Sequence, residues 1–156
     1  LHSLENLASG ISHEVAKVSA RVVGGDLSQG NQLVISITAL GTTNRPIRRS
    51  DAAVGDAVVL SHLPGLSAAG LALLSGQKNL ESDGARKAIA QHCAPSIDYA
   101  RYRSAFPFLN AATDISDGLV VDASHIAEAS SVAIKIDAKK ITSHPDFEAI
   151  SSIRSG

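Results

Sequence analysis

The sequence predicts a mixed α/β fold, with helices layered on sheet. Two observations carry that expectation. Segments rich in β-branched residues alternate along the 156-residue chain with segments whose apolar residues recur every three or four positions. The core-forming residues are also small and aliphatic: hydrophobic content is 44% while aromatics make up only 3%, with no Trp and no Met. Ala, Val, Ile and Leu at that density suit close packing of helix on sheet.

Residues 4–18 read as a helix, because Leu4, Leu7, Ile11, Val15 and Val18 form one stripe, weakened slightly by Gly10. "SARVVGG" (19–25) shifts to β-branched residues and stops at a double glycine, which predicts a short strand. "DLSQGN" is turn chemistry. "QLVISITALG" (32–41) places Leu33, Ile35, Ile37 and Ala39 on one face of a strand. "TTNRPIRRSDAAVGD" (42–56) is polar and carries Pro46, so the domain boundary falls there, with residues 1–45 in one domain and 46–156 in the next. "AVVLSHL" (57–63) predicts another strand. "PGLSAAGLALLSG" (64–76) predicts a short buried helix between Pro-Gly and Gly76. Ser82 caps a helix running to about Cys93, with the cysteine as a small core residue. "YARYRSA" (99–105) forms a turn of helix. "NAATDISDGL" (110–119) is a strand-to-helix corner, and Leu119, Ala123, Ile126 and Ala127 give the following helix its apolar stripe. "SVAIKID" (131–137) predicts a strand and "HPDFEAISSI" (144–153) a last helix.

A net charge of −1 fits poorly with a nucleic-acid partner, which calls for a basic face. The single cysteine excludes an internal disulfide and fits a reducing compartment. No apolar run approaches the roughly 20 residues that span a bilayer, so no membrane association is expected. No secretory signal is visible. The chain opens on Leu1 and ends on "SIRSG", which reads as a piece of a longer protein.

Three constellations could carry chemistry. In "VVGGDLSQG" (22–30), Gly24 and Gly25 let the backbone turn tightly, and Asp26 could meet a divalent cation. The plain alternative is a turn in which Asp26 is a turn former. Gly25 to Gly30 has P-loop spacing, but Asn31 and Gln32 stand where Lys and Ser or Thr belong, which excludes that motif. In "TDISDGL" (113–119), Ser116 or Asp117 is placed to cap a helix whose N–H groups attract phosphate. Asp114 and Asp117 beside a phosphate would repel it unless a metal ion lies between them, so this corner suggests a Mg²⁺–nucleotide site; the alternative is a capped helix with a spare solvated acid. Asp122 lies about 140° around the helix from Asp117 and reads as structural, pointing elsewhere. Arg45, Arg48 and Arg49 could clamp a polyphosphate or be solvated linker charges. The histidines show no zinc spacing, and no nucleophile–histidine–acid arrangement is legible.

Taken in order and spacing, "VVGGDLSQG", "VISITALG", "RPIRRSDAAVGD", "SAAGLALL" and "DISDGLVVDASHIAEAS" closely resemble the thiamine-monophosphate kinases of the aminoimidazole-ribonucleotide-synthetase-like superfamily. The resemblance runs from about Leu4 to about Asp137. It implies that superfamily's layered sheet and helices, with residues 1–45 the end of an N-terminal ATP-binding domain and 46–156 much of a C-terminal α/β domain. It implies an enzyme that transfers the γ-phosphoryl of ATP to thiamine monophosphate, in line and with Mg²⁺ as cofactor. It further implies a cytoplasmic protein that is a homodimer at full length, with this piece alone inactive. By the same resemblance Asp26, Asp114 and Asp117 would hold Mg²⁺, and Gly25, Arg49 and Ser116 would contact ATP. Leu27 and Ser28 stand where the family usually has two threonines, and Leu66 and Ser67 where Gly-Asp is common. Another ATP-using member of the superfamily, or a nucleotide-binding module without chemistry, are the alternative readings.

Overall fold

A computed structural model describes residues 2–76, 82–142 and 151. The chain divides into two compact units, Leu1–Arg45 and Pro46–Gly156. In the first, helix α1 spans His2–Lys17. Its predicted stripe is real: Leu7, Ile11, Val15 and Val18 are half-buried, although Leu4 is exposed. The helix ends without glycine. Ser19 takes a left-handed φ of 56°, and the Ala20 N–H donates to the Val15 carbonyl, which satisfies one of the last-turn acceptors.

The second unit holds α2 (Leu66–Leu74), α3 (Asp83–Cys93), α4 (Tyr99–Ala105), α5 (Leu119–Ser130) and α6 (Ala138–Thr142), with short 3₁₀ turns at Arg49–Asp51 and Phe106–Phe108. Helix α3 begins where its cap predicts: the Ser82 Oγ accepts from the Ala85 N–H at 3.1 Å. The α2–α3 pair carries the core. Ala69 and Ala88 are buried there, with Leu66 and Leu73 packed against them. Gly70 makes the approach possible. A Cβ on it would lie 2.6 Å from the Ala88 carbonyl carbon and 3.0 Å from the His92 Cβ, and closer still to the Ala88 carbonyl oxygen. The two backbones are in contact at that point, as small residues permit.

The predicted strands at 19–25, 32–41, 57–63 and 131–137 are not formed. Among the described residues the only β-pairing is an isolated parallel bridge between Arg48 and Ala111, so the fold seen is helix-rich rather than layered sheet. The reason lies in what a strand needs. Alternation specifies a face that pairs and buries, but the ladder bonds come from a neighbour. Here Leu33, Val34, Ile37 and Leu40 are 70–92% exposed, as is Val59 at 74%. Cys93 is also exposed, not a core residue. The buried face of α3 runs through Ala85 and Ala88, and Cys93 sits at the last position, off that face. Apart from Ser151, the helix expected over 144–153 lies outside the described residues. Among the described residues, no helix is long and apolar enough to cross a membrane.

Candidate functional site

The second unit presents a corner at residues 110–118, where the chain enters α5. Its approach is tied to the segment that carries the arginines. Arg48 bridges to Ala111. The Asn110 Nδ2 donates to both oxygens of Asp56 at 2.9 and 3.1 Å, and Asp56 also accepts from the Ala53 N–H at 2.8 Å. These bonds, the backbone one first and Asn110 second, hold the Asp56 carboxyl below the usual aspartate range. The far end of α5 makes a second tie. The Ser130 Oγ donates to the Arg49 carbonyl at 2.6 Å and accepts from the Ala52 N–H at 3.1 Å.

Arg49 is thereby carried to the acids. Its guanidinium lies 3.6 Å from the Asp114 Oδ1, with side chains 51% and 74% exposed. A pair that open to water contributes little to stability, about 0–1 kcal/mol. It leaves a cation and an anion side by side, both free to take a ligand. Ser116 and Asp117 are exposed on the same loop. Ser116 and Gly118 also line a cleft of about 480 Å³, closed on its other side by Gly65 and Ser67 at the start of α2 and by His92 of α3. The Ser67 Oγ and His92 Nδ1 are 3.0 Å apart.

Asp122 corrects the sequence reading. It does not point away from the corner. Its carboxylate turns back beneath the loop, and Oδ2 accepts from the N–H groups of Ser116, Asp117 and Gly118 at 3.0, 3.1 and 3.1 Å. Asp122 is only 2% exposed. Neither Ser116 nor Asp117 caps the helix; the N-cap is Gly118, whose φ of 118° is one that side chains resist. Of the N–H groups expected to attract phosphate, those of Ser116, Asp117 and Gly118 are thus taken by a carboxylate from inside the helix.

The donor set suits a hard cation. Mg²⁺ usually takes one or two carboxylates and fills its remaining positions with water and substrate phosphate. Asp114 and Asp117 are two exposed carboxylates on one short loop. Among the described residues no three His, Cys, Asp or Glu side chains cluster as a metal site.

Curated proteins similar to this chain share one name. The chain is 36% identical over 140 residues to a thiamine-monophosphate kinase of Aquifex aeolicus, covering 88% of this chain and 45% of that protein. The Corynebacterium glutamicum enzyme of the same name is 36% identical over 145 residues, covering 89% and 44%. The Escherichia coli K12 enzyme is 32% identical over 138 residues, covering 86% and 42%. This chain is a relative of the thiamine-monophosphate kinases. It spans a little under half the length of those curated relatives. No family model and no solved structure matches it.

Within this thiamine-monophosphate-kinase-like chain, the expected site residues fall in both units. Arg49, Asp114, Ser116 and Asp117 are brought together in the second. Gly25 and Asp26 belong to the first, where both are exposed and the Asp26 Oδ1 accepts from the Leu27 N–H at 2.9 Å. Sequence reasoning missed Asp122, Ser130 and the Asp56–Asn110 clamp as parts of the corner. For Asp122 a signal existed: a carboxylate one turn into a helix can reach back to donors before it. It sits one position later than the usual capping-box acid, behind a glycine cap, which hid it.

Proposed function

We propose that this chain is part of an ATP- and Mg²⁺-dependent kinase that phosphorylates thiamine monophosphate to thiamine diphosphate. The observation that carries the reading is the exposed pair Asp114 and Asp117 on one pinned loop, with Arg49 3.6 Å from Asp114, in a relative of the kinases of that name. Phosphoryl transfer asks little covalent help of a protein; it asks for positioning and charge neutralisation. Asp114 and Asp117 would hold Mg²⁺, and Asp26, in the first unit, would likewise be a Mg²⁺ ligand. When bound, that ion neutralises charge on the transferring phosphates. Arg49 would pair with a phosphate of ATP in place of Asp114. Gly25 would let backbone approach the nucleotide. Ser116 would reach ATP through its hydroxyl, because its N–H is committed to Asp122. No general base is needed, since the acceptor is already a phosphate oxygen. The acceptor attacks in line.

The same reading makes 1–45 the end of an ATP-binding domain and 46–156 much of a C-terminal α/β domain. The exposed alternating segments, 32–41 above all, then pair as strands with chain outside this piece, in the superfamily's layered arrangement. The whole protein would act in the cytoplasm as a homodimer, and this piece alone would not turn over. A coupled ADP-release assay on the intact protein tests the activity. ADP release that requires Mg²⁺ and thiamine monophosphate, and that other small phosphates neither support nor inhibit, is the expected result. Equal release with another phosphate acceptor would assign the chain to a different ATP-using enzyme; ATP binding without release would leave a nucleotide-binding module.

A further inference from the structure

We propose that Asp122 is the positioning residue of the acid corner: it touches no ligand, but its buried carboxylate fixes the backbone from which Asp114, Ser116 and Asp117 act. The proposal rests on the metal reading above. A carboxylate 2% exposed is costly to bury unless its charge is met by donors. Here a single oxygen collects three consecutive N–H groups, those of the two loop residues before α5 and of its N-cap Gly118. Bonds to an ionised acceptor are roughly twice as strong as neutral ones, so three of them on one atom define the loop closely. The other oxygen, Oδ1, lies 3.7 Å from the His125 Nδ1, itself buried without a hydrogen-bond partner among the described residues. His125 thus backs the carboxylate without competing for the oxygen that holds the loop.

The arrangement divides labour between acids. Asp122 faces inward and consumes the loop's donors. Asp114 and Asp117 are left facing water with their own oxygens uncommitted to the helix start. The loop therefore turns its own N–H groups, 116–118, inward and leaves carboxylate oxygen for a cation. Supporting residues of this kind hold ligating groups in their orientation, and their loss typically costs about 10–100-fold in metal affinity.

The test uses the intact protein with Asp122→Asn, Asp122→Glu and Asp117→Asn. Amide hydrogen exchange is followed at 116–118, and Mn²⁺ binding by electron paramagnetic resonance with ATP present. Asp122→Asn is expected to speed exchange at 116–118 while α2 and α3 stay protected, and to weaken Mn²⁺ binding roughly tenfold. Asp122→Glu, which keeps the charge, should recover part of both. Unchanged exchange at 116–118, or faster exchange there with Mn²⁺ affinity intact, overturns the proposal. Asp117→Asn separates the two layers of the argument: if it leaves Mn²⁺ binding untouched, the metal reading fails, and this role for Asp122 with it.

Discussion

Replacing Gly70 by alanine should destabilise the second unit, and replacing Gly10 should stabilise the first. Both glycines lie inside helices, so propensity alone favours alanine at each by about 1 kcal/mol. Space reverses the sign at one of them. The new Cβ at Gly70 must move from 2.6 Å to an ordinary contact near 3.4 Å from the Ala88 carbonyl carbon. The obstacle is backbone, so no rotamer change relieves it; α2 and α3 must separate, and Ala69 and Ala88 lose their burial. Overpacking of this kind costs about 1–3 kcal/mol. The upper part of that range applies because the helices meet through their main chains, which leaves a net loss of about 1–2 kcal/mol after the propensity gain. Nothing lies within 4 Å of a Cβ at Gly10, so the gain there stands alone. Denaturant unfolding followed by far-ultraviolet circular dichroism compares the two variants with the parent. If Gly70→Ala is neutral or stabilising, the backbone contact between α2 and α3 is wrong.

Ser130→Ala removes an acceptor for the Ala52 N–H and a donor to the Arg49 carbonyl, and should cost about 1–2 kcal/mol in denaturant unfolding; no measurable change would separate α5 from the arginine segment. Asp56 contributes to stability with a defined pH window. Its folded carboxyl titrates below the usual aspartate range, so the contribution is present above the unfolded value, about 3.9, and fades as pH falls through the folded value. The stability difference between the parent and Asp56→Asn should be constant near neutrality and shrink in acid; a difference that grew below that value would reverse the sign of the assignment.

The helices were legible because their information is local. Ser82 announced α3, and the spacing of Leu7, Ile11, Val15 and Val18 announced α1. The strands were legible as patterns but not as structure. Val34 and Ile37 encode faces to be buried, and nothing local says which neighbour buries them. The corner divides the same way. Asp114 and Asp117 could be singled out from composition and spacing, since acids on a glycine-marked turn ask for an explanation. That Arg49 would reach Asp114 depends on Ser130, 81 positions along the chain, holding the Arg49 carbonyl. Asp122 was placed on the wrong side by an ideal-helix argument. The angle from Asp117 assumed that the helix already existed there, but it begins only after Gly118, so the loop folds back over the Asp122 carboxylate.

Calorimetric titration of the intact protein with ATP, with and without Mg²⁺, tests the central claim most directly when the parent is run beside Asp114→Asn and Asp117→Asn. If these two exposed carboxylates present a cation to the phosphates, ATP binds the parent only with Mg²⁺ present, and each substitution removes most of that binding while unfolding stays unchanged. Metal-dependent binding that survives both substitutions at full strength would contradict the account and place the phosphate site elsewhere in the protein.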